Sequence, residues 1–286
     1  MKFDFIQQNL SGFPVAVACD TLAVSRAGYY AWLKRPVSPR ATRRTELAVK
    51  IQAVHAEHRQ VYGSPRVCAA LRARGERVCE NTVAKVMREQ EIRAKTKKTF
   101  VPRTTDSRHE QPLARNVLDR QFAADLPDRK WAVDITYVPT DEGWLYLAGV
   151  IDLCTRRIVG WSMAEHMESA LAADALQMAI ARRNPAAGLL HHSDRGVQYA
   201  AEDYQHLLQS NGMQASMSGK GDCWDNAPME SFWGTLKTEL VHHEHYATRE
   251  QARQSIFEYI EVFYNRKRLH SALGYRSPEA FEASLN

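Results

Sequence analysis

Three carboxylates stand where a carboxylate is costly. Asp134 is centred in the apolar run "WAVDITY", Asp194 ends the strand-like "GLLHHSD" just before a glycine turn, and Glu230 lies in the first turns of the amphipathic "DNAPMESFWGTLKTEL". An ionised carboxylate inside a sheet needs a hydrogen-bond partner, a cation or a metal. Taken singly, each has a plainer reading as a cap or a local hydrogen bond. Gathered in one cleft they would repel and raise one another's pKa unless divalent ions neutralised them, and oxygen-only ligation suits Mg²⁺ or Mn²⁺. Asp194 and Glu230 have 35 residues between them, and Lys237 follows Glu230 by seven. Seven residues are almost two helical turns, so Glu230 and Lys237 share a face about 10 Å apart, with Trp233 and Gly234 between.

Neighbouring groups offer other chemistry. His191 and His192 could form a zinc site with Asp194, but no third histidine at helical spacing lies near, and orientation or DNA contact is preferred for them. Ser193 lacks a nucleophile elbow, and its two histidines diverge along a strand. Asp152, on a second strand, is the main decoy carboxylate, and Asp225 or Asn226 caps the helix that carries Glu230. Tyr264, Asn265, Arg268 and His270 follow a long amphipathic pattern and are either DNA-facing or domain-closing.

The elements that must position these residues are legible as patterns. "KWAVDITYVPT", "WLYLAGVIDLCT" and "RIVGWSMAEH" read as three strands of an antiparallel meander with a short turn at Glu142-Gly143. A helix from about Glu168 to Arg183 follows, then the strand "GLLHHSD", a helix near Glu202 to Ser210, a short strand "MQASMS" and two helices. Strands followed by alternating helices predict α/β layers around a mixed sheet.

The first part of the chain differs. Residues 1–115 carry 22 Lys/Arg against 10 Asp/Glu, whereas residues 116–286 carry 16 against 23. A basic block of this size suits a phosphate backbone, although a merely soluble basic surface has the same composition. Over residues 47–92 a helical pattern stops at Gly63, restarts with Ser64 as N-cap and Pro65 behind it, and stops again at Gly75. A third helix, about Glu80 to Gln90, puts Val83, Val86 and Met87 on one face and Asn81, Thr82, Lys85 and Arg88 on the other. That layout is helix-turn-helix-like, and its second helix would read DNA with Asn81, Thr82 and Lys85; three helices packed without DNA is the plainer alternative. Upstream, Ser25 caps a short helix that stops before Pro36, with Tyr29, Tyr30 and Trp32 as core. Residues 93–108, which include Lys95, Lys97 and Lys98, read as a basic linker able to track a backbone.

The five cysteines are odd in number and lack C-x-x-C spacing, so neither a disulfide framework nor a zinc finger is indicated. No apolar run approaches the roughly 20 residues of a membrane helix, and polar residues near the N-terminus argue against a signal peptide. The expectation is a cytoplasmic protein.

Two acids followed by an acid with a trailing lysine resemble the arrangement in DDE transposases and retroviral integrases. "WAVDITYVPTDEGWLYLAGVIDLCTRRIVGW", "HHSDRGVQYA", "GDCWDNAPMESFWGTLKTEL" and "FYNRKRLHSALGYRSPEAF" are similar to the signature blocks of bacterial insertion-sequence transposases encoded by a second open reading frame, OrfB. "FPVAVACDTLAVSRAGYYAW" and "HRQVYGSPRVCAALRARGERVCENTVAKVMRE" resemble that family's N-terminal part, so the likeness covers nearly the whole chain. Val197, Asp222, Cys79 and Leu269 depart from the pattern, and only Cys79 touches function, by weakening the cap of the reading helix.

The resemblance implies an α/β, ribonuclease H-like mixed sheet with flanking helices, preceded by an all-α helix-turn-helix region. The implied division is an N-terminal helical segment over 1–45, a DNA-binding helix-turn-helix over 46–95, a basic linker over 96–124 and an integrase catalytic core with C-terminal helices over 125–286. It also implies that Asp134, Asp194 and Glu230 hold two Mg²⁺ (or Mn²⁺) ions, and that the enzyme cuts at the 3′ ends of its element and transfers them to target DNA. Lys237 would hold a phosphate beside the scissile bond. Implied partners are double-stranded DNA, as element ends and target, further copies of the chain on that DNA, and the small upstream protein OrfA, often as a frameshifted fusion. The implied setting is the bacterial nucleoid. Two other readings stay in view: a metal-dependent nuclease of the same fold, and a helix-turn-helix regulator with an inactive core.

Overall fold

The computed structural model describes residues 1–9, 12–96, 114–219 and 223–285. Lys97 and Lys98, expected in the basic linker, lie outside the described residues. The chain forms two compact units, Met1–Gln52 and Ala53–Asn286.

In the first unit, α1 (Lys2–Gln8), α2 (Val15–Thr21) and α3 (Arg26–Leu33) surround a small core of Ile6, Cys19 and Tyr29. Ser25 caps α3 as expected, its side chain accepting from the Gly28 N–H at 3.0 Å. Tyr29 is core, but Tyr30, one residue on, is turned by the helix period to the surface and is 51% exposed. The long α4 (Pro39–Glu57) runs across the division between the units.

The second unit opens with the helix pair α5 (Ser64–Ala73) and α6 (Glu80–Glu89). Gly63, not Ser64, is the N-cap of α5; Ser64 is already helical, and its hydroxyl points across to Glu80 at 3.5 Å. Val67, Cys68 and Leu71 of α5 and Val83, Val86 and Met87 of α6 are buried. The link between the helices is pinned where Arg72 Nε donates to the Val78 carbonyl at 2.9 Å. Cys79 sits at the N-cap of α6 without a side-chain capping bond, as its chemistry predicts.

The five strands are β1 (Lys130–Thr140), β2 (Gly143–Asp152), β3 (Ile158–Ala164), β4 (Leu190–Ser193) and β5 (Gln214–Met217), in the order β3-β2-β1-β4-β5. The meander β1-β2-β3 is antiparallel; β4 pairs parallel with β1 and β5 parallel with β4, so the sheet is mixed. Gly143, at φ +104, makes the β1–β2 turn possible. Helices α7 (Ser169–Arg183), α8 (Val197–Ala200) and α9 (Glu202–Ser210) supply Leu171, Ala175, Leu176, Tyr199, Tyr204 and Leu208 to the core against Trp131, Val133, Val150 and Val159 of the sheet. A Cβ at Gly160 would come within 2.2 Å of the Ala175 carbonyl oxygen, so only glycine lets α7 lie this close to β3. Then come α10 (Ala227–Glu239), α11 (Arg249–Phe257), a π-helical turn over Glu258–Tyr264, and α12 (Pro278–Ala283). This is the expected α/β arrangement, a mixed five-stranded sheet with flanking helices and a helical region ahead of it.

Candidate active site

The sheet register brings the first two carboxylates together. In the parallel ladder Lys130 pairs with Leu190, Trp131 with His191 and Ala132 with His192. The same offset carried two residues on brings Asp194, just past the end of β4, toward Asp134 on the neighbouring strand, near enough for its charge to act on the Asp134 carboxyl. Asp194 is held by its own turn, Oδ1 accepting the Gly196 N–H at 2.9 Å.

Across the antiparallel ladder Asp134 faces Gly149. A Cβ there would come within 2.9 Å of the Trp233 ring, so the glycine opens the space through which Trp233 of α10 lies on the sheet. Trp233 Nε1 donates to Asp134 Oδ2 at 3.0 Å, and the Ile135 N–H donates to Oδ1 at 2.8 Å. This bond fixes α10 over β1 and delivers Glu230, which is exposed at the mouth of the cleft. Gly149 and the indole were not singled out as site residues from sequence; the signal available was a glycine inside an otherwise apolar strand.

Asp134 keeps part of its surface open to the cleft, yet packing about its carboxyl pushes its pKa up to about 8, with the charges of Asp194 and Glu230 adding to burial and the two hydrogen bonds opposing it. Burial also raises Glu230. Lys237 lies on the same face of α10, its ammonium 4.9 Å from the centre of the Tyr137 ring; burial lowers its pKa and the Asp134 charge opposes that. Among the described residues, no three His, Cys, Asp or Glu side chains are drawn into a closed ligand cluster. The donor set nonetheless fits a hard divalent cation: the three carboxylates offer only oxygens, and like charges stand close enough to raise Asp134 with one nearby lysine to offset them.

The expected alternatives resolve on burial. His191 and His192 are 1% and 0% exposed. Tyr204 Oη pairs with His191 Nε2 at 2.9 Å, and Ser216 Oγ with His192 Nδ1 at 2.9 Å, so both rings serve the interior and neither can contact DNA. Ser193 Oγ donates to the carbonyl of Asp194, which makes it no nucleophile. Asp152 is fully buried and organises the β2–β3 turn through the N–H and hydroxyl of Thr155. Asn226 occupies the N-cap of α10 but its side chain does not cap; it donates to the Val133 carbonyl instead, while Asp225 accepts from Asn116, Arg120 and the Gly219 N–H. Tyr264, Asn265 and Arg268 are buried at 2–3% and close the domain rather than facing DNA. Asn81, Thr82, Lys85 and Arg88 are all exposed on one side of α6, away from its buried face, whereas Lys95 is half-buried with its backbone N–H on the Gln60 carbonyl.

Burial holds His191 and His192 neutral, pushing their pKa values down to about 3 and about 4. The unfolded chain takes up both protons below about pH 6.5 and the folded chain does not, so stability falls as pH drops from 6.5 toward 4. Urea unfolding at pH 7 and pH 5 should differ by about 2 kcal/mol per histidine. His191→Gln should remove its share of that difference; equal pH dependence in wild type and variant would show that His191 is protonated in the fold.

Models of the integrase core domain match residues 124–223 and 230–284, and a model of an HTH-like domain matches residues 42–100. The InsF transposase of insertion sequence IS3A from Escherichia coli K12 is 44% identical over 284 residues, 99% of this chain and 98% of that protein. The chain belongs to the IS3-type insertion-sequence transposases. An uncharacterized 31 kDa protein of insertion element IS600 from Shigella sonnei is 46% identical to this transposase over 92% of the chain and 96% of that protein. Among solved structures, a simian T-cell lymphotropic virus intasome bound to the PP2A regulatory subunit B56 gamma overlaps the transposase with a TM-score of 0.48 and 16% identity, covering 75% of this chain and 69% of that one. No helix among the described residues is long and apolar enough to cross a membrane.

Proposed function

We propose that this transposase is a DDE-type polynucleotidyl transferase in which Asp134, Asp194 and Glu230 hold the divalent metal, cutting 3′ ends of its element and joining them to target DNA. The observation that carries this is the juxtaposition of Asp134 and Asp194 on neighbouring parallel strands, with the charge of Glu230 reaching Asp134 from α10. Bound Mg²⁺ or Mn²⁺, as one ion or two, supplies neutralisation of the three carboxylates and charge stabilisation during in-line displacement at phosphorus. Trp233 and the Ile135 N–H hold the Asp134 carboxylate in one orientation, so its remaining lone pairs face the cleft. Asn81, Thr82, Lys85 and Arg88 present a polar, exposed helix face suited to the major groove of double-stranded DNA, and Lys95, Lys97 and Lys98 extend the basic track. The working domains are residues 46–95 for recognition, 96–124 as linker and 125–286 for chemistry, behind the segment 1–45. Assembly of several copies on the element ends, with or without an upstream OrfA partner, belongs to the same reading, as does action at the bacterial nucleoid in the cytoplasm.

Incubation with labelled element ends and a supercoiled plasmid in Mg²⁺ separates the outcomes. Joined product supports the transferase; cleavage without joining identifies a nuclease; binding without either identifies a regulator.

Lys237 is assigned to a phosphate near the scissile bond. Its place over Tyr137 leaves the ammonium beside the cleft and beside an aromatic ring that fixes it. Lys237→Ala should weaken binding of element ends on the order of tenfold and lower cleavage and joining together, with metal dependence unchanged and Lys237→Arg partly active. End binding and joining equal to wild type would return this lysine to the ordinary surface.

A further inference from the structure

A second face of α10 lines a cleft of about 370 Å³ that the carboxylates do not share. Ser231 and Thr235 face it, one turn apart, and Arg66, Arg156, Arg268 and Ser271 are among its other polar lining residues, with His270 beside them. Three guanidiniums around one space need three counter-charges, and the fold supplies fewer. Glu239 serves two of them: its carboxylate takes Arg268 Nη2 at 2.6 Å and stands 3.6 Å from Arg66 Nη1. Asp152 lies close enough for its charge to act on Arg156, but its oxygens are occupied by the Thr155 N–H, the Thr155 hydroxyl and the Asp128 N–H. Among the described residues, no side-chain hydrogen bond or ion pair reaches the half-buried Arg156. His270 adds no positive charge, since burial and then the neighbouring arginines push its pKa down to about 3.

The arginine is also held there at a cost. Arg156 sits at φ +59, a left-handed conformation that L side chains adopt at about 1 kcal/mol or more. The turn that imposes it is tied by the Arg156 N–H to the Asp152 carbonyl at 2.8 Å. A strained backbone that carries an unpaired guanidinium into a cleft with two more is a site waiting for an anion.

We propose that this cleft binds a phosphodiester of DNA, the guanidiniums of Arg156 and Arg66 engaging its oxygens and the hydroxyls of Ser231, Thr235 and Ser271 completing the donors. A bare oxyanion would leave most of 370 Å³ unfilled, whereas a phosphate with its adjoining sugar fills a space at the lower end of known ligand sites, about 300–1,000 Å³. Planar guanidiniums recognise phosphate in paired fashion. A DNA strand is the phosphate source at hand for a transposase. The proposal rests on the chain acting on DNA and is independent of the role given to the three carboxylates.

Full-length Arg156→Gly and Arg156→Lys test it. Glycine relieves the positive φ and removes a guanidinium that makes no side-chain hydrogen bond or ion pair, while Asp152 keeps the Thr155 and Asp128 donors on its oxygens, so the ligand-free thermal midpoint should equal or exceed wild type. Inorganic phosphate, titrated at constant ionic strength against chloride, should raise the midpoint of wild type and not of Arg156→Gly. For a duplex oligonucleotide in Mg²⁺-free buffer, the slope of log affinity against log salt should shrink by about 0.9 in Arg156→Gly, with affinity down about tenfold near 0.1 M salt and partly restored in Arg156→Lys. Unchanged affinity and slope in Arg156→Gly overturn the proposal. A lost phosphate shift with unchanged DNA binding overturns the DNA assignment in favour of a free phosphate ligand, and a lowered ligand-free midpoint overturns it in favour of a structural arginine. Asp134→Asn, assayed beside them for cleavage in Mg²⁺ and for binding without it, keeps the two readings apart: failure of the metal assignment shows as cleavage retained in Asp134→Asn, whereas failure of this proposal shows as an unchanged salt slope in Arg156→Gly.

Discussion

Asp134→Asn should abolish strand cleavage and joining in Mg²⁺, by at least about 10³-fold, while thermal midpoint and DNA affinity should stay at or above wild type. Amide for carboxylate keeps volume and shape. Oδ1 and Oδ2 now accept from the Ile135 N–H and from Trp233 Nε1, and an amide can serve one of these donors. Against the loss of the other bond stands the removal of a charge that burial and two neighbouring carboxylates already disfavour, as its pKa of about 8 records. Those terms are of similar size and opposite sign, so the fold should hardly register the change. Chemistry should register it fully, since an amide cannot neutralise a cation. Asp194→Asn and Glu230→Gln should give the same pattern, and double variants should lose little more than single ones because in the proposed site the three act as a unit. Cleavage within tenfold of wild type in any one of them would remove that residue from the site.

Much of this geometry was legible because it is local. The run 130–140, rich in apolar, β-branched and aromatic residues, is β1 to the residue, and the helices carrying Val83, Val86 and Met87 and Glu230 appear where the period of 3.6 put them. The carboxylates themselves stood out because an acid in an apolar strand is expensive wherever the strand goes. What local pattern could not hold was pairing between distant segments. That β4 inserts beside β1 in parallel, at the register that brings Asp194 toward Asp134, depends on a crossover of many residues through α7. The Trp233 bond to Asp134 is equally non-local, and it exists only because Gly149 leaves room. The misreadings have the same origin. His191 and His192 looked like ligands or DNA contacts because their partners, Tyr204, Ser216 and Ser218, come from α9 and the β5 edge. Ser64 looked like a cap because Gly63 offers no side chain to compete with it, yet the cap position depends on backbone angles rather than on side-chain type.

Glu239→Ala should unfold the second unit more readily by about 3–5 kcal/mol, the cost of removing one partner from a buried ion pair. Glu239 lies nine residues beyond Glu230 on α10 and is 6% exposed; Arg268 is 3% exposed. Its carboxylate accepts from Arg268 Nε at 2.8 Å and Nη2 at 2.6 Å, and from Tyr259 Oη at 2.8 Å. Without it the Arg268 guanidinium keeps, among the described residues, His270 and the Tyr264 ring, neither of which carries a negative charge, and the Tyr259 hydroxyl loses its acceptor. The disturbance should spread to the helix-turn-helix, because Arg66 approaches the same carboxylate and Tyr62 Oη, beside it, both accepts the Leu269 N–H at 2.7 Å and donates to the Lys267 carbonyl at 3.2 Å. A network so connected is non-additive, which gives the test its control. Glu239→Gln with Arg268→Met removes both charges and keeps the bulk, so it should cost less than either single change, whereas two independent residues would give the sum. For a unit of this size the single variant should melt about 10 °C lower, and proteolysis near residues 59–66 should accelerate. Cleavage should fall as well, since Glu239 anchors the far end of the helix whose first turns present Glu230. A midpoint within about 2 °C of wild type for Glu239→Ala would mean that water reaches Arg268, and that the junction between the HTH-like helices and the integrase core is looser than its hydrogen bonds imply.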